Sequence, residues 1–228
     1  MKLIASLAGT VVLHVSSDDV MPKHGILQRD LIQYIAERYQ FSGRPAIPPN
    51  APPGTIIPII FNQGKFVTKA GTYPVLQIIQ PPNGDIVTAG DTDVAELVLE
   101  DLVSGLEADL KFNYRGKKQR KSYVSVLTVE CDAALENQIS AFRHIEEILN
   151  RAIPRENMPF KPKSLIFGYG DPTDGINSED ASSIERTDFA LQRRAGSAYE
   201  QNRYFSQMPL PTNRHFEVLQ EIEAALRG

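Results

Sequence analysis

A chain of 228 residues, 42% of them hydrophobic and 23% charged, has the composition of an ordinary globular protein and not of a disordered or fibrous one. Its formal net charge of −4 excludes a global attraction to nucleic acid or to an acidic membrane surface, so binding of either kind must come from a local patch. A single cysteine, Cys131, excludes an intrachain disulfide and fits a reducing compartment, and no apolar run reaches the roughly 18 residues of a transmembrane helix.

The opening stretch, MKLIASLAGTVVLHVSS, has the outline of a secretory signal: a lysine, a short apolar core, small residues. The weakly basic start and His14 at the end of the run favour a first strand instead, Leu3 to Val15, unbroken or bent at Gly9. A polar loop with Pro22 and Gly25 follows. Leu27, Leu31, Tyr34, Ile35 and Tyr39 recur at helical spacing and predict a helix over 26–41. Residues 42–54, SGRPAIPPNAPPG, hold five prolines and predict a stiff extended connector, with a proline-rich ligand for another domain as the alternative.

From Thr55 the period changes to that of strands. TIIPIIF predicts an edge strand or a bulge at Pro58, Asn62-Gln63-Gly64 a turn, and KFVTKAGTYPVLQIIQ one or two strands broken near Ala70-Gly71. Pro81 to Asp85 predicts a turn and Ile86 to Ala89 a return strand, so 55–89 is expected to be an antiparallel meander. A helix is expected from Asp93 to Leu110, with Asp93 and Glu96 as a capping box and Val94, Leu97, Val98, Leu102 and Leu106 as its buried stripe. Its other face is acidic, either solvated or a contact for a basic partner.

The clearest signal is the run from Lys111 to Ile153: a basic loop, a strand and an amphipathic helix. Tyr123 to Cys131 is rich in β-branched residues and at least half apolar on both faces, which predicts a central strand covered on both sides. Asp132 stands where an N-cap belongs. Leu135, Ile139, Phe142, Ile145, Leu149 and Ile153 then form one stripe of a helix ended by Pro154. Leu165 to Phe167 predicts a short strand. The polar stretch from Gly168 to Asn213 predicts an extended arm ordered by a partner, with a weak helix over 183–194. A final amphipathic helix carries Phe216, Leu219, Ile222 and Leu226, with Thr212 or Asn213 as its cap. No internal repeat is legible.

The expected fold is α+β: a mixed, mainly antiparallel sheet with three amphipathic helices packed on it. The expected division is a core over 1–154 and an arm plus helix over 155–228.

Chemistry is thinly marked. Gly168-Tyr169-Gly170-Asp171 lacks the third glycine of a dinucleotide fingerprint, and DPTDGINSED lacks the ligand spacing of an EF-hand. No histidine pair has zinc-ligand spacing, Cys131 has no companion cysteine, and no hydrolase, zincin or kinase motif is present. Glu130 and Asp132 at a strand end are a candidate magnesium pair, and Cys131 with His144 a candidate nucleophile pair; capping and burial explain these residues more simply. No cofactor is expected.

The leading expectation is therefore a non-enzymatic interaction module, an accessory subunit or homo-oligomer, cytoplasmic and without a membrane span. Tyr199, Arg203, Tyr204, Phe205 and Met208, residue types enriched at interfaces, are its expected contact residues, with Phe216 and Leu219 of the last helix. Deleting 183–228 is expected to abolish assembly and spare the core. The alternative is nucleic-acid binding by Lys111, Tyr114, Arg115, Lys117, Lys118, Arg120 and Lys121, whose cations can neutralise phosphates while an aromatic ring stacks on a base. A third possibility is an enzyme whose site gathers distant acids and histidines.

Overall fold

The computed structural model describes residues 1–43, 45, 58–117, 119–153, 161–168 and 187–227. In chain order they form β1 (Lys2–His14), α1 (Ser17–Val20), α2 (Gln28–Arg38), β2 (Ile59–Thr68), β3 (Gly71–Gln80), β4 (Gly84–Ala89), α3 (Thr92–Leu110), β5 (Arg120–Glu130), α4 (Ser140–Ala152), β6 (Ser164–Phe167), β7 (Phe189–Arg193), β8 (Arg203–Met208) and α5 (Thr212–Arg227). The strands make one sheet in the order β2-β3-β4-β1-β5-β8-β7-β6, antiparallel throughout. The α+β class and the antiparallel sheet match the sequence expectation.

The order of that sheet exposes what the sequence hides. A strand, a helical segment, a three-strand meander and a helix occur twice: β1 to α3, then β5 to α5. Each half orders its strands identically, and the halves join through the β1–β5 pair. The two closing helices begin alike, Thr92-Asp93 with Val98-Leu99 in one and Thr212-Asn213 with Val218-Leu219 in the other. Each half also has its own apolar core, one under α2 and α3, the other around Leu127, Val129, Leu191, Tyr204 and Leu219.

Helices α2, α3 and α5 share one face of the sheet. On β5 the residues of that face, Ser125, Leu127 and Val129, are buried, whereas opposite them Val124 and Val126 are half-buried and only Thr128 is fully buried. The strand is thus central with its helices on one side, an arrangement that antiparallel sheets tolerate, and the other side is only partly covered.

Local expectations shift for identifiable reasons. β1 is continuous and irregular at Leu3/Ala5 and Ser6/Ala8, not at Gly9. Gly9 serves a close approach instead: a Cβ there would fall 2.0 Å from the Asp91 carbonyl carbon and the Thr92 nitrogen at the start of α3. Asn62-Gln63-Gly64 is no turn. β2 runs through it in register with β3, Gln63 taking φ 60°, and Gly64 leaves room for the Phe41 ring. α3 is capped by Asp91, whose Oδ1 accepts from the Val94 N–H at 2.8 Å, and not by Asp93. Its buried stripe is accordingly Ala95, Val98, Leu99, Leu102 and Leu106, and Leu97 is exposed. The proline-rich connector falls almost entirely outside the described residues.

The expected arm is the largest correction. β7 and β8 extend the sheet, with β8 paired to β5 from Ser125↔Met208 to Glu130↔Arg203. Tyr204, Ser206 and Met208 alternate inward against Arg203, Phe205 and Gln207, a period-two pattern that the inward serine and outward phenylalanine disguise. Deleting 183–228 would therefore strip a central strand of its neighbour. The helix expected over 183–194 is a strand where it is described. α4 starts at Ser140, not after Asp132, because Asp132 is held by Arg227 at 2.6 Å and Leu135–Gln138 forms a 3-10 turn.

Candidate functional site

α4 has an unbroken apolar ridge and no buried residue. Ile145, Ile148, Leu149 and Ile153 remain 51%, 41%, 37% and 46% exposed. The counterpart helix in the first half, α2, buries Leu31, Ile32, Ile35 and Ala36. Beside α4 lies β6, the outer strand of the sheet, with Ile166 and Phe167 exposed by 54% and 61%. The Lys161 ammonium and the Glu146 carboxylate, 3.3 Å apart, tie α4 to the approach to β6. A gap of about 210 Å³ remains between them, lined by Phe142, Ile145, Leu149 and Pro162. Leu165 faces the second core beside α4, and Ile166 projects from the other face of the strand, so both helix and edge strand leave apolar side chains exposed.

The basic loop meets acids of its own chain. Arg115 Nε lies 3.0 Å from Glu107, and its backbone N–H donates to the same carboxylate at 2.8 Å. Lys121 bonds Glu96 at 2.5 Å and lies 3.6 Å from Glu100, while Lys117 lies 3.7 Å from Asp19. Lys111 donates to the Ala108 carbonyl at the end of α3. Tyr114 is buried, stacked on Phe112, so neither ring is offered to a base. Arg120 opens β5, and Lys118 lies outside the described residues.

The expected contact residues divide by strand alternation. Tyr204, Met208 and Leu219 are core residues; the Tyr204 hydroxyl accepts from the Leu135 N–H at 2.9 Å. Arg203 and Phe205 face the uncovered side of the sheet, Arg203 bonded to Glu130 at 3.0 Å. Phe216 is half-buried against the second core. Tyr199 begins a 3-10 turn, and its side chain lies outside the description.

The candidate catalytic groups do not assemble. Cys131 is buried, and burial pushes its thiol up to about 12, whereas His144 is exposed on α4. Asp132 is exposed, with its carboxyl held below the usual range chiefly by the Arg227 guanidinium. Gly168 aside, the glycine and aspartate stretch through Asp180 lies outside the described residues. Among the described residues no cluster of acids, histidine and cysteine is placed to hold a metal, and no helix is long and apolar enough to cross a membrane.

Among the buried polar residues that escape sequence reasoning, two have ionisable side chains strongly shifted by burial. His215 on α5 is fully buried, its Nδ1 2.8 Å from Ser125 Oγ and its Nε2 2.9 Å from Ser206 Oγ. Burial drives its pKa down to about 4, so the ring is neutral and ties α5 to β5 and β8. The other is Asp85, in the first half. It is 3% exposed and borders a cavity of about 220 Å³ walled by Val20, Ile26, Leu31, Ile59 and Phe112. Its Oδ1 accepts from Gln80 Nε2 at 2.9 Å and its Oδ2 from the Tyr114 hydroxyl at 2.8 Å. Among the described residues no lysine, arginine or histidine lines the cavity. Burial consequently raises the Asp85 pKa. Nothing along the chain marks Asp85, because its turn-rich setting reads as solvent-exposed.

No protein-family model matches the chain, and no curated protein is significantly similar to it.

Proposed function

We propose that the protein is a non-enzymatic assembly module that joins a second copy of itself through α4 and the edge of β6. The observation that carries this reading is the apolar ridge of α4, half-buried at Phe142 and exposed from Ile145 through Ile148 and Leu149 to Ile153. Contiguous exposed apolar surface of this kind marks interaction sites on soluble proteins. β6 adds a second element: it is the last strand of the sheet among the described residues, and Ser164-Leu165-Ile166-Phe167 has neither a charge nor a proline to protect that edge from pairing. The polar positions of α4 carry both signs, Arg143 and Arg151 with Glu146 and Glu147, so two copies can face one another without net repulsion. A uniformly charged rim would instead select an oppositely charged partner. A single buried thiol fits a reducing, cytoplasmic setting.

The test is a double substitution, Ile145→Asp with Leu149→Asp. Both side chains are exposed, so the variant should melt within a few degrees of the parent while losing self-association. An oligomer that survives the double substitution would overturn the proposal.

A further inference from the structure

The cavity beside Asp85 has no part in that assembly surface, which belongs to the other half of the chain. We propose that it is a binding site for a small organic cation: an ammonium group on a compact apolar body, seated against Asp85 and Gln80.

The wall and the floor of the cavity require different chemistry. Val15, Val20, Ile26, Leu31, Ile59 and Phe112 supply an apolar wall that favours hydrocarbon. Asp85, Gln80 and Tyr114 supply the polar groups, and none of the three brings a positive charge. A buried carboxylate is retained at high cost unless a cation or several donors compensate it. Asp85 has two neutral donors and no counter-ion among the described residues. Gln80 makes the same demand: its Oε1 is buried and accepts no hydrogen bond among the described residues. Exchanging the amide's oxygen and nitrogen would only move the deficit to the nitrogen, since one carboxylate oxygen cannot serve both. An ammonium group carries several N–H donors and one positive charge. It can therefore donate to Asp85 and to Gln80 Oε1 together.

Anions are excluded by the same geometry, since an anion would meet a carboxylate and an amide oxygen without a compensating cation. A neutral alcohol can satisfy one acceptor and leaves the charge unbalanced. The volume sets the size of the guest. At about 220 Å³ the cavity is smaller than the roughly 300–1,000 Å³ of sites for drug-sized ligands, so it suits a monoamine with a single ring or a short branched chain.

The probe is phenethylamine, compared with 2-phenylethanol and 3-phenylpropionate. Titration of the full-length protein is followed by calorimetry and by amide chemical shifts. The proposal expects saturable binding of phenethylamine, with shifts at Val20, Ile26, Gln80 and Asp85, at least tenfold tighter than 2-phenylethanol and with no binding of 3-phenylpropionate. Asp85→Asn should weaken the amine at least tenfold and bring it level with the alcohol. Ile26→Trp, at a partly buried position of the wall, should fill the cavity and abolish binding while leaving Asp85 in place. Three results would overturn the proposal: no saturable binding of the amine, equal affinity for the amine in Asp85→Asn, or tighter binding of the carboxylate. Shifts confined to α4 and β6 would overturn it as well, since they would place the amine on the other surface.

Discussion

Thr92 and Thr212, 120 residues apart, cap each other. The Thr92 backbone N–H donates to Thr212 Oγ1 at 3.1 Å, and the Thr212 backbone N–H donates to Thr92 Oγ1 at 2.8 Å. Each is the first residue of its helix, so each supplies the oxygen that the other helix needs at its open end. Their neighbours also meet, Asn213 Nδ2 donating to Asp93 at 3.3 Å. Ser6 and Ser125, on the two central strands, donate to the carbonyls of Gly90 and Leu210, both at 2.8 Å and both two residues before the capping threonine. A pseudo-two-fold axis through the β1–β5 pair accounts for this reciprocity.

Replacing either threonine by valine leaves a buried N–H without its acceptor, which costs about 1–3 kcal/mol. The two losses belong to one network, so the double variant should lose less than the sum, with a coupling of about 0.5–3 kcal/mol by urea unfolding. Strictly additive losses would show that the two caps are independent.

Gly9→Ala should be among the most damaging single changes. The new Cβ would collide with backbone at the start of α3, not with a side chain that can turn aside. Overpacking of this kind costs about 1–3 kcal/mol or more. The loss should appear as a lower urea midpoint with an unchanged denaturant slope; a variant as stable as the parent would mean that α3 sits further from β1.

His215 predicts acid sensitivity. Its pKa falls from the ordinary 6.5 to about 4 on folding, so between those values the unfolded chain binds the proton that the folded one refuses. Stability from this residue is present above pH 6.5, falls as pH drops toward 4, and amounts to roughly 2–3 kcal/mol over the window. Unfolding measured at pH 4.5 and at pH 7 in parent and His215→Gln should show a smaller pH difference in the variant. An identical difference would mean that His215 titrates normally.

Asp85 carries the opposite sign. Its folded pKa is raised by burial, so its contribution is favourable below the ordinary carboxylate value and is lost as pH rises through the folded pKa. At neutral pH and without ligand, Asp85→Asn should raise the melting temperature, since the amide keeps a partner for Tyr114 without the buried charge. A lower melting temperature would show that the carboxylate is compensated already.

Much of the fold is legible wherever local chemistry and tertiary packing agree. The β-branched run of β5, the Pro81–Asp85 turn and the helical spacing of α2 and α3 are all readable. β8 is not, because polar Ser206 faces inward between Tyr204 and Met208 while apolar Phe205 faces outward between Arg203 and Gln207, which blurs the alternation. The duplication left almost no sequence trace, since burial requires only apolar character at matching positions; Ala95 in one half answers to His215 in the other, both fully buried. Tyr114 looked like a stacking residue because sequence shows its basic neighbours and not the Asp85 beneath it. The ridge of α4 was visible as a stripe, but periodicity alone does not tell a face that packs from one that stays bare.

Size-exclusion chromatography with light scattering, run over a hundredfold range of protein concentration, decides whether α4 and β6 are an assembly surface. The parent should elute as a defined dimer that dissociates only at the lowest concentrations, and Ile145→Asp with Leu149→Asp as a monomer throughout. A parent that is monomeric over the whole range would contradict self-assembly through this surface.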